Sequence, residues 1–100
     1  MPTKDLLIVD DERIVCESLK EMLTLEGYTV DTAQDGQEAL ARVNGTQYQL
    51  ILSDIQMPGL NGLELLKELK GRSPQTIIIF ITGHGHIEGA VEALKLGAYD

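Results

Sequence analysis

Three unbroken apolar runs and one alternating run, each followed by a helical pattern, make this an α/β sequence with a doubly wound parallel sheet. Residues 6–9, 50–52 and 77–81 are short, apolar and rich in β-branched side chains. Strands buried on both faces read this way. Residues 28–33 alternate instead, as an edge strand with one wetter face does. Strands separated by helices cannot pair as hairpins. The crossovers are therefore right-handed, the sheet is parallel, and helices cover both faces.

The elements follow in order. After the first run, Val15, Leu19, Met22 and Leu23 form a one-sided stripe that predicts a helix over residues 12–26, with Gly27 as its stop. Asp35-Gly36 opens a second helix whose Ala39, Leu40 and Val43 face inward, and Asn44-Gly45 ends it. Leu63, Leu66 and Leu69 mark a third, closed by Gly71 and Pro74. A fourth is expected over residues 87–96, with Val91 and Leu94 inward and Gly97 beyond it. The Leu and Met stripes are assigned to the core.

Length and charge narrow the function. One hundred residues support one domain, residues 1–100, and 43% hydrophobic content is enough for a core. Sixteen acidic against eight basic side chains leave a formal charge of −8. That disfavours nucleic acid and anionic membranes, both of which need clustered Lys and Arg. Aromatic stacking platforms are lacking too, with no Trp and one Phe. A single cysteine, Cys16, forms no intrachain disulfide. With neither a signal-peptide pattern nor a membrane-length apolar run, the expected location is the cytoplasm.

In doubly wound folds the ligand site lies at the carboxyl ends of the strands. The first strand ends in Asp10-Asp11-Glu12, the third in Ser53-Asp54 and the fourth in Thr82-Gly83. With those strands adjacent, at about 4.8 Å spacing, Asp10 or Asp11, Asp54 and Thr82 share one pocket. Carboxylates that close repel one another, so a proton or a cation must join them. Oxygen donors select a hard cation. Magnesium suits one or two carboxylates and leaves positions for water and phosphate oxygens. Asp54 is then placed to attack phosphorus, as Asp nucleophiles do, and Thr82 to donate its hydroxyl to a phosphoryl oxygen.

Blander readings exist for each motif. Asp10-Asp11-Glu12 can serve as a helix cap with acids favoured by the helix dipole. Residues 54–59 can be an ordinary turn of Asp, Pro and Gly, although an acid ending a buried strand needs a partner to offset its desolvation. Residues 83–89 space their glycines G-x-G-x-x-x-G, one residue too long for a dinucleotide loop and after the wrong strand. His84 and His86 lack a third nearby metal ligand. Cys16 reads as a small apolar residue on the first helix, where the acidic helix start would raise its thiol pKa.

Taken together, Ile8-Val9-Asp10-Asp11-Glu12, the segment from Leu52-Ser53-Asp54 through Met57-Pro58-Gly59 to Gly62, Ile79-Phe80-Ile81-Thr82-Gly83 and Gly97-Ala98-Tyr99-Asp100 resemble a response-regulator receiver domain of two-component signalling. The resemblance covers essentially the whole chain. It implies the flavodoxin-like strand order 2-1-3-4-5. It implies Asp54 as phosphoacceptor and Thr82 as switch hydroxyl. Mg2+ would be held by Asp10, Asp11, Asp54 and the backbone carbonyl of Gln56. The implied partners are a sensor histidine kinase and an effector domain or downstream protein, with homodimerisation a common output. The motifs from Thr82 to Asp100 are similar to receivers of sigma-54-dependent transcriptional activators.

The same resemblance implies a lysine ending strand five and a switch aromatic three residues before it. Both would fall beyond Asp100, so strand five and the last helix are expected to be absent from this chain. Tyr99 precedes that strand and is not the switch aromatic. The expected function is a phosphoacceptor switch, not an enzyme, though it assists its own phosphorylation and dephosphorylation. A Mg2+-dependent phosphohydrolase with an aspartyl-phosphate intermediate is the alternative. It would use a D-x-D arrangement after strand one, whereas Asp10 and Asp11 are adjacent. A degenerate receiver used only for docking is a third reading, opposed by the intact Asp10, Asp11, Asp54 and Thr82.

Overall fold

The computed structural model of the protein describes residues 2–54 and 62–81, with the backbone alone for residues 54, 62, 63, 80 and 81. Seven elements alternate: β1 (Thr3–Val9), α1 (Arg13–Leu25), β2 (Val30–Ala33), α2 (Gly36–Gly45), β3 (Gln47–Asp54), α3 (Gly62–Arg72) and β4 (Ile77–Ile81). The strands form one sheet of order β2-β1-β3-β4. Every pair is parallel, with Leu7 opposite both Asp31 and Ile51, and Ile51 opposite Ile78. The expected order therefore holds for the first four strands, and the alternating strand sits at an edge. The expected helix over residues 87–96, with Gln56, Thr82, His84 and His86, lies outside the described residues.

Alternation along β1 and β3 sends side chains into two cores. Leu6, Ile8, Leu50 and Leu52 meet Cys16, Leu19 and Leu23 of α1 on one face. Leu7, Val9 and Ile51 meet Ala39, Leu40 and Val43 of α2 and Leu65 and Leu69 of α3 on the other. The central strands are apolar on both sides because helices cover both sides.

The helix ends follow local chemistry. Gly27 has φ 99°. This left-handed residue lets its own N–H reach the carbonyl of Thr24 at 3.0 Å and the N–H of Tyr28 reach that of Leu23 at 3.1 Å. That pair of bonds is a Schellman stop. Asp35 caps α2 by accepting the Glu38 N–H at 2.8 Å, while the Glu38 carboxylate accepts the Gln34 N–H at 3.3 Å. The first bond satisfies an amide that the helix start leaves unpaired, and the second ties the residue before the cap to the first turn.

Two inward stripes differ from the sequence expectation. Met22, assigned to the core, is 44% exposed, and Cys16 takes the inward place. At about 100° per residue, the buried Cys16, Leu19 and Leu23 lie within roughly 60° of one another, and Met22 falls near the rim of that stripe. Ile14 and Leu25 lie opposite it and are exposed. Among the described side chains of α3 the buried leucines are Leu65 and Leu69, four apart, with Leu66 at the margin; the Leu63 side chain lies outside them.

Polar side chains close the other end of the sheet. Thr76 donates its hydroxyl to the Tyr48 carbonyl at 2.7 Å, and Gln47 Nε2 donates to Ser73 Oγ at 3.0 Å. The Lys70 ammonium donates to the Thr76 carbonyl at 2.7 Å, holding the end of α3 beside the start of β4.

Candidate acidic site at the strand ends

The β1–β3 register determines what can meet at the carboxyl end of the sheet. Leu6, Leu7, Ile8 and Val9 stand opposite Leu50, Ile51, Leu52 and Ser53. One residue further along are Asp10 and Asp54, on neighbouring strands of a parallel pair. Asp54 is itself the last residue of β3 and stands opposite Ile81, the last residue of β4. Thr82 is next in sequence. The two acids that the sequence singled out thus end adjacent strands, as do the residues leading to Thr82.

Asp10 is built into the turn rather than displayed on it. Its side chain is largely buried, with 8% of the residue exposed. Its backbone N–H donates to the Ala33 carbonyl at 3.0 Å, tying the turn to the end of β2. One carboxylate oxygen accepts the Glu12 N–H at 2.9 Å. Glu12 occupies the α1 N-cap position in an extended conformation without a side-chain capping bond. The cap reading of Asp10-Asp11-Glu12 is therefore not met: α1 has no side-chain capping bond and no acid in its first turn, and Asp10 instead accepts from the N–H of the N-cap residue. Asp11, next in the chain, is exposed beside it.

Sequence reasoning missed one contributor to this turn. Cys16 is 2% exposed and donates its S–H to the Asp10 carbonyl at 3.3 Å, with the Ala33 carbonyl at 3.7 Å. Burial, followed by the neighbouring Asp10 charge, pushes the thiol up to about 11. The thiol is thus a neutral donor across the physiological range. An inward-facing cysteine six residues after Asp10, in the first turn of the next helix, was the available signal.

The donor set fits a hard divalent cation: a buried carboxylate, an exposed one beside it and a third acid ending the adjacent strand. Among the described residues no group of three His, Cys, Asp or Glu side chains is close enough to hold a metal. The Asp54 side chain and Gln56 lie outside them.

In doubly wound parallel sheets the ligand site lies at the carboxyl ends of the strands, where these acids stand. The response regulator receiver domain family matches residues 6–100, and the chain belongs to it. It is 45% identical over 98 residues to the nitrogen assimilation regulatory protein NtrX of Azorhizobium caulinodans, covering 96% of this chain and 22% of that protein. It is 40% identical over 101 residues to the transcriptional regulatory protein FixJ of Bradyrhizobium diazoefficiens, covering all of this chain and 49% of that one. The chain thus spans half or less of these curated relatives. Among solved structures it resembles the response regulator TrrA of Thermotoga maritima in complex with Mg(2+)-BeF, with TM-score 0.73 and 38% identity, covering 94% of this chain and 80% of that one.

Proposed function

We propose that this chain accepts a phosphoryl group on Asp54 from the phosphohistidine of a sensor kinase, in a Mg2+-dependent reaction. The change then switches binding to an effector domain or downstream protein that regulates transcription. The observation that carries the reading is the β1–β3 register, which sets Asp10 and Asp54 on adjacent strand ends. Membership of the receiver family supports it, as does the Mg(2+)-BeF complex of the similar TrrA.

Asp10, Asp11, Asp54 and the Gln56 carbonyl would hold the metal. Bound there, Mg2+ supplies charge neutralisation for the carboxylates and for the incoming phosphoryl oxygens. A carboxylate oxygen of Asp54 forms the new bond to phosphorus while the phosphorus–nitrogen bond to the donor imidazole breaks. The imidazole leaves with that electron pair. Thr82 donates its hydroxyl to a phosphoryl oxygen and so couples the modification to a two-state equilibrium. Among the described residues no helix is long and apolar enough to cross a membrane, which fits the cytoplasmic location proposed for such a switch.

Incubation with a small-molecule phosphodonor and Mg2+, followed by intact mass spectrometry, tests the assignment. One phosphate adduct is expected on the wild-type chain, lost in Asp54→Ala and suppressed by EDTA. An adduct that persists in Asp54→Ala, or forms equally well in EDTA, overturns it. Multiple-turnover hydrolysis of a phosphoester would instead identify a phosphohydrolase.

A further inference from the structure

Asp10 is held at three points by two elements, the end of β2 and the start of α1. Its N–H is tied to β2 through the Ala33 carbonyl, and its carboxylate to the start of α1 through the Glu12 N–H. Its own carbonyl is tied to the first turn of α1 through the Cys16 thiol at 3.3 Å. That last contact has a particular mechanical meaning. The carbonyl belongs to the planar peptide joining Asp10 to Asp11, and such a plane rotates as one body. Fixing its oxygen fixes the direction in which the chain leaves Asp10, and hence where the Asp11 side chain starts.

The Ala33 carbonyl receives both the Asp10 N–H at 3.0 Å and the edge of the same thiol at 3.7 Å. The sulfur therefore sits where β1, β2 and α1 converge, fully enclosed. A valine or alanine would fill much of the same apolar space. Neither would offer a donor.

We infer that Cys16 is a positioning residue for the acidic site, orienting the Asp10–Asp11 peptide so that both carboxylates present a preformed arrangement to Mg2+. This rests on the phosphoacceptor reading above, in which Asp10 and Asp11 hold the ion. Groups that orient ligands without touching the metal commonly govern its affinity. A thiol is a weak donor, so the effect here is at the small end of that range.

The test is Mg2+ affinity by isothermal titration calorimetry on this chain, as wild type, Cys16→Ala, Cys16→Val and Cys16→Ser. Urea midpoints and the amide shifts of Asp11 and Glu12 in metal-free protein accompany each titration. Loss of the donor in Cys16→Ala and Cys16→Val is expected to weaken Mg2+ binding by about three- to ten-fold, while Cys16→Ser stays within about two-fold of wild type. The stability order is expected to run the other way, because a buried hydroxyl costs more to desolvate than a methyl group. Opposite orders for affinity and stability separate positioning from packing, and the serine and valine variants keep the comparison available if the alanine chain folds poorly.

Equal affinity in all four proteins, or affinity that follows the urea midpoints, overturns the inference and leaves the phosphoacceptor reading standing. Failure of the wild-type chain to bind Mg2+ overturns both.

Discussion

Tyr48 donates its phenolic hydrogen to the Asp31 carboxylate at 2.6 Å, reaching from β3 across the central strand β1 to the edge strand β2. Lys4 of β1 donates to the other carboxylate oxygen at 2.9 Å. One acid thus ties together three strands near the end of the sheet opposite the acidic site. Burial raises the Asp31 carboxyl, and the hydrogen bonds from Tyr48 and Lys4 outweigh it, leaving the group below its ordinary 3.8. The same burial, with the bond to Asp31, pushes the Tyr48 phenol up to about 12.

Acid should loosen this tie. A carboxylate with a depressed folded-state pKa contributes stability that is fully present above its unfolded value and is lost as pH falls through the folded one. Urea midpoints are expected to decline below about pH 4. The decline should be shallower in Asp31→Asn, and equal slopes for the two proteins would contradict the assignment.

Alkali should act on the partner. The Tyr48 phenol is raised from an ordinary value of 10.0, so the stability it contributes is present below pH 10 and is lost as pH rises through about 12. Tyr48→Phe removes that loss and also leaves the carboxylate with Lys4 alone. At neutral pH it is expected to cost about 2 kcal/mol by chemical denaturation, the scale of a hydrogen bond to a charged group. Lys4→Met should cost less, because the lysine side chain is 41% exposed against 14% for Asp31 and water screens the pair.

Gly27 gives a backbone test. A Cβ there would meet nothing within 4 Å, so space is not the constraint. Its φ of 99° is. Gly27→Ala is expected to lower stability by about 1 kcal/mol, the cost of holding an L-residue in the left-handed region. Gly45→Ala, also with open space and without that conformation, should be close to neutral or slightly stabilising. Thermal melts of the two variants make the comparison.

The Cys16 thiol should be inert in the native protein. It is enclosed, and its pKa near 11 leaves little thiolate at neutral pH. Alkylation by iodoacetamide is expected to follow unfolding, accelerating with urea in step with loss of structure. Rapid labelling of the native chain would show that the turn opens locally.

The parts of this fold legible in the sequence are those with a local or periodic cause. Gly27 as a helix stop and Asp35-Gly36 as a helix start are choices of single residues, and both hold. The unbroken runs of β1, β3 and β4 announce burial on two faces. The alternation of residues 28–33 announces an edge. The strand order is different: it came with the family resemblance, since no periodicity distinguishes 2-1-3-4 from its permutations. Met22 and Cys16 exchanged places because both can join an apolar stripe, and only the angle at which α1 meets the sheet selects between them. The Lys4–Asp31–Tyr48 tie was invisible because its members are distant in sequence and belong to three separate strands. That Asp10 and Asp54 follow neighbouring strands was legible once the strands were ordered, whereas the Cys16 contact with the Asp10 carbonyl depends on side-chain geometry.

The ladder that joins β1 to β3 also sets a timetable. Val9 pairs with Ser53, 44 residues later. On a ribosome adding about 5–20 residues per second, Leu6 to Val9 wait roughly two to nine seconds for the strand that covers their other edge. During that interval this apolar strand has only α1, the short β2 and α2 to shelter it. Synthesis rate and chaperone access during the passage from Val9 to Ser53 should therefore govern how much of this protein reaches its native state in the cell.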